Sequence, residues 1–151
     1  MELQLHLMLC DHAAAIGPRL YINGGGWDVR SPMPQPWALA LEVKVPWHDN
    51  NRSFPYVLEL LDADGQPVEV DTPKGKQPIK TDGNITLTAR PGLKPGSQIV
   101  GVAAALLLPI PLPPDAQYEW KLTLDGHTRD EWRVAFSTSA MPAGFAAAAA
   151  G

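Results

Sequence analysis

The segments YEWKLTL (118–124) and WRVAF (132–136) carry the clearest period-two pattern in the chain. Large apolar side chains occupy alternate positions in both segments: Tyr118, Trp120, Leu122, Leu124, Trp132, Val134 and Phe136. Such alternation places these side chains on one face of a β-strand. Asp125-Gly126 stands between the segments, and Asp-Gly pairs favour the tight turns of β-hairpins. Residues 118–136 are therefore predicted to form a hairpin that buries one face.

The same alternation recurs nearer the N-terminus. Leucines take every second position in residues 3–9, and residues 37–45 repeat the pattern from Trp37 onward. The 13 glycines and 16 prolines fall between apolar runs, which is typical of short strands joined by tight turns. No long segment has helical periodicity, and residues 11–16 have room for one helical turn at most. We predict an all-β fold, an antiparallel β-sandwich that is immunoglobulin-like or jelly-roll-like, with about eight or nine strands.

Two regions give more detailed predictions of pairing. Residues 56–61 are expected to pair with residues 68–70 across an Asp/Gly turn, and the polar segment 71–78 is expected to be a loop. Residues 98–108 are almost all apolar. Such a run is typical of a central strand that is buried on both faces.

Length and composition predict one domain. A chain of 151 residues corresponds to a single domain, which we place at residues 1–138, with residues 139–151 as an Ala-rich C-terminal tail. The one cysteine has no partner for an internal disulfide, and the N-terminus lacks the basic and apolar regions of a signal peptide. Both features predict a cytoplasmic protein.

The charge pattern argues against two classes of partner. The net charge is −4, and the cationic residues show no cluster larger than the pair Lys74 and Lys76. Phosphate backbones and anionic membranes need clustered cations, so we predict no nucleic-acid partner and no membrane partner.

One strand face carries potential metal ligands. His6, Met8, Cys10 and His12 alternate with the leucines of the first strand. Side chains two residues apart lie about 6.6–6.8 Å apart along a strand, so His6 and Cys10 are roughly 13 Å apart and cannot share one ion. A packed second face is the favoured interpretation of these residues. His6, Cys10 and His12 are therefore only weak metal candidates, and we predict no metal or other cofactor.

The sequence predicts no catalytic site. There is no Gly-x-Ser-x-Gly elbow, and the thiol of Cys10 lies too far along the strand from His12 for a direct hydrogen bond. The segment Gly24-Gly25-Gly26 is followed by prolines rather than by a phosphate-binding helix. A bulge or a close backbone approach is the favoured interpretation of these glycines. We therefore predict a protein that is not an enzyme.

Two tryptophans stand at strand ends, whereas Trp37, Trp120 and Trp132 occupy core positions of the strand pattern. Trp27 follows the three glycines, and Trp47 precedes a polar loop. Aromatic side chains at the end of a sandwich stack on ligands, anchor protein partners or close the core. Closing the core is the favoured interpretation, and a ligand or partner contact remains the alternative. The residues assigned to that alternative are Trp27, Trp47, His48 and Arg52.

Several short motifs resemble those of a family of small uncharacterised bacterial proteins, chiefly actinobacterial. The motifs are Leu9-Cys10-Asp11, Arg19-Leu20-Tyr21-Ile22, Gly24-Gly25-Gly26-Trp27, Val45-Pro46-Trp47 with Asn51-Arg52, Leu61-Asp62-Ala63-Asp64-Gly65 and Leu124-Asp125-Gly126. The resemblance extends to about Thr138 and implies no activity and no functional residue. The last hairpin also resembles the final two strands of immunoglobulin-like domains, which is an analogy at the level of the fold.

The predicted function is a binding or structural module that acts through self-association or contact with a protein partner. The alternative is a small-ligand or carbohydrate site near Trp27 and Trp47.

Overall fold

The computed structural model describes residues 3–107 and 109–141, which form eleven strands and two single 3-10 turns. The strands are β1 (Gln4–Ile16), β2 (Arg19–Gly25), β3 (Val29–Arg30), β4 (Trp37–Val45), β5 (Ser53–Asp62), β6 (Glu69–Thr72), β7 (Gly75–Pro78), β8 (Lys80–Thr86), β9 (Ile99–Leu107), β10 (Gln117–Leu124) and β11 (Arg133–Thr138). The 3-10 turns are Trp47–Asp49 and Asp130–Trp132.

Two sheets form a sandwich. The first has the order β2-β1-β4-β9, and the second has the order β3-β11-β10-β5-β8. All pairings between the described strands are antiparallel except the two-residue pairing of β3 with β11, which is parallel. Strands β6 and β7 form a separate hairpin. The prediction of an all-β fold built from antiparallel sheets is therefore confirmed.

The predicted alternation places the core between the two sheets. Leu5 and Leu39 from the first sheet and Leu58 and Trp120 from the second belong to one buried cluster. In β10 every second side chain, from Tyr118 to Leu124, is buried. Because apolar side chains on alternate positions all reach one face of a strand, each sheet contributes one apolar face to the core.

The hairpin of β10 and β11 has the predicted turn with an added segment. Leu124 and His127 exchange backbone hydrogen bonds of 2.8 and 3.0 Å around Asp125-Gly126. Both turn residues have positive φ, 53° and 77°, as a type I′ turn requires. The 3-10 turn Asp130–Trp132 then returns the chain to β11.

The prediction that residues 98–108 form a central strand is wrong. Among the residues that the structure describes, strand β9 lies at the edge of the first sheet and pairs with β4 alone. Its apolar side chains are mostly small, and Ala103 is exposed. Apolar composition gave the right structural type, but it could not reveal how many neighbours the strand has.

Two other details of the strand prediction are corrected. Residues 11–16 continue β1 and form no helical turn. Residues 71–78 contain most of the β6–β7 hairpin instead of a loop, and β6 pairs with β7 rather than with β5. Instead, Gln66, Pro67 and Val68 pair with Asp62, Leu61 and Leu60 at the end of β5. These additional short strands, with β3, raise the count above the predicted eight or nine.

Candidate binding surfaces

Trp27 lies in an aromatic cluster at one end of the sandwich. Its ring stacks on Trp37 with 6.4 Å between centroids, and it meets Phe136 edge-on at 5.8 Å. The guanidinium of Arg30 lies 4.3 Å from the centroid of the Trp37 ring. Trp27 is half-buried against the core, and its ring contacts one aromatic residue from each sheet.

Arg30 is an unusual component of this cluster because it is only 4 % exposed. It donates to the carbonyl oxygens of Ser31 and Met33, both at 3.3 Å, and Nη1 has no hydrogen-bond partner among the described residues. Burial of the guanidinium lowers the pKa of Arg30. The two carbonyl oxygens and the ring face of Trp37, 4.3 Å away, together compensate for this buried charge.

Trp47 and His48 lie at the opposite end of β4 from Trp27. Strand β4 separates Trp37 from Val45 by eight steps, which is about 26 Å of extended chain. Trp47 and His48 line an open depression of about 620 Å³ together with Gln4, Gln98 and Arg129. The structure therefore does not bring Trp27 into one site with Trp47 and His48.

Arg52 is engaged in an ion-pair network rather than in that depression. Its guanidinium bonds Asp49 at 3.3 Å and Asp125 at 3.1 Å, and it covers the ring of Phe54 at 4.8 Å. Asp49 is 6 % exposed and also lies 3.7 Å from His48. The network joins the 3-10 turn after β4 to the turn after β10. The spacing of Asp49 and Arg52 permits the first pair, whereas the contact with Asp125 spans 73 residues and has no signal in the sequence.

The four potential metal ligands of β1 differ in exposure. His6, Met8 and His12 are exposed, whereas Cys10 is fully buried, and its thiol donates to the Ala38 carbonyl oxygen at 3.5 Å. Burial raises the pKa of the Cys10 thiol, and the charge of Asp11 raises it further. In residues 3–107 and 109–141, no three His, Cys, Asp or Glu side chains group as metal ligands would.

The largest group of exposed apolar side chains lies on β1 and β2. Six large apolar residues are exposed in the described segments, and four of them are on these two strands: Met8, Ile16, Tyr21 and Ile22. We call these four the β1–β2 patch; Tyr21 pairs with Ala14 and Ile22 with Ala13, so the patch spans both faces of the hairpin. A Cβ at Gly25 would lie 2.8 Å from the sulfur of Met8 and 2.9 Å from a methyl group of Ile22, so these two side chains meet over the glycine.

The sequence pattern of β2 predicted only part of the β1–β2 patch. The sequence predicted a strand at residues 19–23, but adjacent Tyr21 and Ile22 do not alternate with polar residues. Because neighbouring side chains point to opposite faces, one of such a pair must face away from any single core. That signal for an exposed apolar surface is present in the sequence and was missed.

Gly24 fits the predicted close backbone approach. It has a positive φ of 60°, and a Cβ there would lie 2.2 Å from a carboxylate oxygen of Asp11. Only glycine combines this conformation with the absence of a side chain, so Asp11 can lie across β2.

Two apolar cavities lie between the sheets on the side of β8 and β9. Their volumes are about 520 Å³ and 220 Å³, and they share Tyr56, Thr81, Ala104 and Ala105. The first is lined by Trp37, Leu107, Ile110 and Trp120, among others, and the second by leucines of β1, β4, β5 and β10. Sequence reasoning found no such site because it depends on which strands lie at the edges.

A family model, described as a family of unknown function (DUF6941), matches residues 5–136. The chain belongs to DUF6941. The predicted resemblance to a family without an assigned function is thereby confirmed, and its bacterial source stays a prediction. No curated protein and no solved structure matches this DUF6941 chain. None of the helices in its described segments has the length and apolar character needed to cross a membrane.

Proposed function

We propose that the protein is a non-catalytic binding module that associates with a second copy of itself through β2 and the β1–β2 patch. The observation that carries this proposal is the position of the patch. Four of the six large exposed apolar side chains of the described residues lie at the β2 edge of the first sheet.

The edge of β2 is suited to strand pairing. Within residues 3–107 and 109–141, β2 pairs with β1 and with no second strand. Soluble proteins protect such edges with charged residues, prolines or short strands. Strand β2 has seven residues, and its one charged residue, Arg19, stands at the beginning of the strand. Such a strand is a template for another extended chain.

A second copy of the chain is the partner that this surface favours. Antiparallel pairing of β2 with its own copy about a two-fold axis would satisfy the backbone groups of both edges at once. The same arrangement would bring Tyr21 of the two copies together on one face of the joined sheet and Ile22 on the other, and would remove part of their apolar surface from water. Burial of apolar surface is the main driving force for association between proteins.

The environment of Cys10 supports a non-catalytic role, because a hydrolase or transferase that used this thiol would need it to be a reactive nucleophile. Cys10 is buried, its pKa is raised, and its thiol bonds a backbone carbonyl oxygen rather than an imidazole. A reactive cysteine requires a lowered pKa and access to its substrate. The chemistry of this residue therefore favours a structural role.

Light scattering after size-exclusion chromatography tests the self-association. We expect the native chain to elute as a dimer and Ile22→Lys to elute as a monomer, because one lysine on each copy places like charges at the interface. Val29→Lys and Ala103→Lys are matched controls. Each introduces the same charge at an exposed apolar position, outside the β1–β2 patch and on the other free edge, respectively. A native chain that stays monomeric at high micromolar concentration would contradict the proposal, as would dimer loss in Ala103→Lys alone.

We also propose a small-ligand or carbohydrate site as a second candidate, now centred on Trp47. The supporting observation is the 620 Å³ depression, in which an indole lies beside the polar side chains of Gln4, His48 and Gln98. Aromatic faces with a few polar groups are typical of ligand sites. A tryptophan-fluorescence screen with sugars and nucleotides should show a shift that Trp47→Phe abolishes and Trp27→Phe retains. An absence of any shift would eliminate this candidate.

We infer a cytoplasmic location from the single cysteine, which leaves no internal disulfide for an oxidising compartment to form. The buried thiol of Cys10 is consistent with a reducing compartment. Fractionation of the source cells with an antibody against the chain tests this inference, and recovery outside the cytoplasm would contradict it.

A further inference from the structure

We infer that β9 binds an extended segment of a partner protein, whose apolar side chains at alternate positions enter the two cavities between the sheets. The segment pairs with the free edge of β9 and so adds a strand to the first sheet. This inference concerns the edge of that sheet opposite to β2, so it does not depend on the proposed self-association.

Strand β9 has unpaired backbone groups along one edge. Among the residues that the structure describes, it pairs with β4 alone, from Ile99 to Leu107. In such a pair, the amide and carbonyl groups of alternate residues point away from the partner strand. Soluble proteins protect free edges with charged residues, prolines or short strands, and residues 99–107 contain neither charge nor proline. The edge is therefore a template for another extended main chain, which a lipid or a sugar could not match.

The described strands leave β8 of the second sheet without a covering strand. The first sheet ends at β9, and residues of both β9 and β8 line the cavities. Thr81 pairs with Leu58 and Ile85 pairs with Phe54, so both side chains of β8 point toward the core. Thr81 is nevertheless exposed, and Ile85 is only half-buried. A strand added beside β9 would cover both of them.

The cavities beneath this edge can receive side chains from an added strand. Their volumes are about 520 Å³ and about 220 Å³, and Ala105 lines both. They exist because β9 carries small residues beside large ones of β4: Leu39 pairs with Ala105, and Leu41 pairs with Ala103. The smaller cavity extends to Ala103 and the larger to Leu107. Inward side chains lie about 6.6–6.8 Å apart along a strand, so successive ones would reach the two cavities in turn.

The two cavities favour uncharged side chains. Lys80 is the one charged residue among the described residues that line them. It pairs with Glu59, next to the inward pair of Leu58 and Thr81, so its side chain lies on the outer face of the second sheet. A charged side chain inside either cavity would lose its hydration without gaining a partner. The inward residues of the partner segment are therefore uncharged and apolar.

A partner with larger side chains fits this edge better than a second copy of the chain does. Antiparallel pairing of β9 with its own copy would bring mainly small inward residues to the cavities: Gly101, Ala103 and Ala105. Pairing of β9 with β2 of a copy would be heterologous and would not close into a dimer. Valine or isoleucine at the inward positions of a partner segment would bury more apolar surface than alanine does.

Calorimetry and tryptophan fluorescence with synthetic peptides test the inference on the full-length chain. The probe is a blocked peptide as long as β9 in which isoleucine alternates with threonine. We expect it to bind at micromolar concentration and to change the fluorescence, because Trp37 and Trp120 line the larger cavity. A peptide of the same composition with its isoleucines in one block is the matched control. It cannot place them all on one face of a strand and should bind more weakly.

Methylation of the peptide backbone tests the strand pairing. Two versions of the probe carry N-methyl groups on alternate amides, in the two possible registers. Only one set of amides faces β9 in a paired strand. We therefore expect one version to lose about ten-fold or more in affinity and the other to bind nearly as well as the unmethylated probe.

Two variants of the chain locate the bound segment. Ala105→Leu fills the part shared by the two cavities and should weaken probe binding about ten-fold or more. Val102→Leu is its matched control on the same strand, since Val102 lines neither cavity, and it should bind like the native chain. If Ala105→Leu fails to fold, Ala103→Lys places a charge at an exposed position of the smaller cavity. It should also weaken probe binding about ten-fold or more, and should leave the dimer intact.

Absence of probe binding below millimolar concentration would overturn the inference. Equal binding of the two methylated peptides, or unchanged binding in the folded variants of Ala103 and Ala105, would also overturn it. Decanol that binds more tightly than the probe would show a lipid-like ligand instead, because an alkyl chain fills the cavities without pairing with β9. Dissociation of the dimer by the probe would show that a second copy already occupies this edge, and it would count against the inference in the same way.

Discussion

Cys10 shows how burial determines the chemistry of a side chain. Its thiol is fully buried beside Ala38 and Ala40, and its pKa is raised by burial and by the charge of Asp11. The native state therefore holds the thiol proton more tightly than the unfolded state does. This contribution to stability is fully present below the unfolded pKa of about 8.5 and is lost as pH rises from there through the raised native pKa.

We expect the Cys10 thiol to be unreactive toward a disulfide reagent at about pH 8 until the protein unfolds. In urea unfolding, the free-energy difference between the native chain and Cys10→Ala should decrease as pH is raised from about 7.5 to about 9.5. Cys10→Ala is the reference for this comparison because it keeps every other titrating group of the native chain. A free-energy difference that stays constant or increases with pH would show that folding does not raise the pKa of the Cys10 thiol.

Arg52 is expected to stabilise the protein through its two carboxylate partners. Arg52→Ala would leave Asp49 buried without its guanidinium and would release the turn at Asp125. We expect the free energy of unfolding to fall by about 1–2 kcal/mol, between the values typical of exposed and buried ion pairs.

Arg133→Ala is the matched control for Arg52. It removes a single pair with Glu119 at 3.2 Å, in which both side chains are about one-third exposed, and should cost less than about 1 kcal/mol. Equal losses of unfolding free energy in the two variants would show that the buried carboxylate of Asp49 does not depend on Arg52.

Single residues were predictable where their strand position determined their environment. Trp37 and Trp120 occupy core positions of strands, Trp132 continues the alternation of β11 from the 3-10 turn before it, and all three are at most 2 % exposed. Trp27 and Trp47 lie outside the strands, so periodicity could not show which end of the sandwich each one reaches. Their separation depends on the path of the chain between strands, for which the sequence has no comparable pattern.

Among the elements, the turn after β10 is the most closely specified by sequence. Asp125 and Gly126 both have positive φ, which an ordinary L residue adopts only at a cost. Gly126→Ala should therefore lower the free energy of unfolding by about 1 kcal/mol.

Gly126→Asn provides the comparison, because asparagine tolerates positive φ better than alanine does. We expect its loss of unfolding free energy to be the smaller of the two, as measured by urea denaturation. If the alanine variant were the more stable one, the left-handed conformation at Gly126 would not limit the stability of the hairpin.

Strand β9 shows what periodicity could not provide. Its apolar run predicted a strand correctly, but the number of neighbouring strands follows from sheet order. The alanines and Gly101 are apolar enough for a core and too small to fill one beside β4. Residue volume on the inward positions, rather than apolar content alone, was the sequence signal for an open edge.

At the scale of the molecule, the described core is complete within residues 3–141. The last strand ends at Thr138, and Ser139 bonds Arg30 and Asp115 through its backbone. A chain that ends at Met141 retains all of these contacts. We expect it to unfold cooperatively within about 2 °C of the full-length chain in a thermal melt.

The full-length chain is the reference for this truncation, and its light-scattering mass should also be unchanged. A drop of several degrees would place residues 142–151 within the folded unit, contrary to the predicted domain boundary. A change of mass without a change of melting temperature would place them at an interface.

The layered architecture was predictable because the two faces of each strand differ in polarity over most of the chain. Leucines at alternate positions of β1 and β4, and aromatic residues in β10, identify surfaces that must meet. Strand order was not predictable, since the pairings of β1 with β4 and of β4 with β9 cross long stretches of sequence. The pairing of β4 with β9 places β9, whose inward residues are small, at the edge of the first sheet beside the two cavities.

The parallel pairing of β3 with β11 has a consequence for biosynthesis. Residues 29–30 pair with residues 137–138, so β3 can pair only after β11 has been synthesised. Likewise, the first sheet can be completed only after β9 has been synthesised, because β9 pairs with β4. We therefore expect a nascent chain to leave the leucines of β1 uncovered until the second sheet has been synthesised, which favours late collapse of the core.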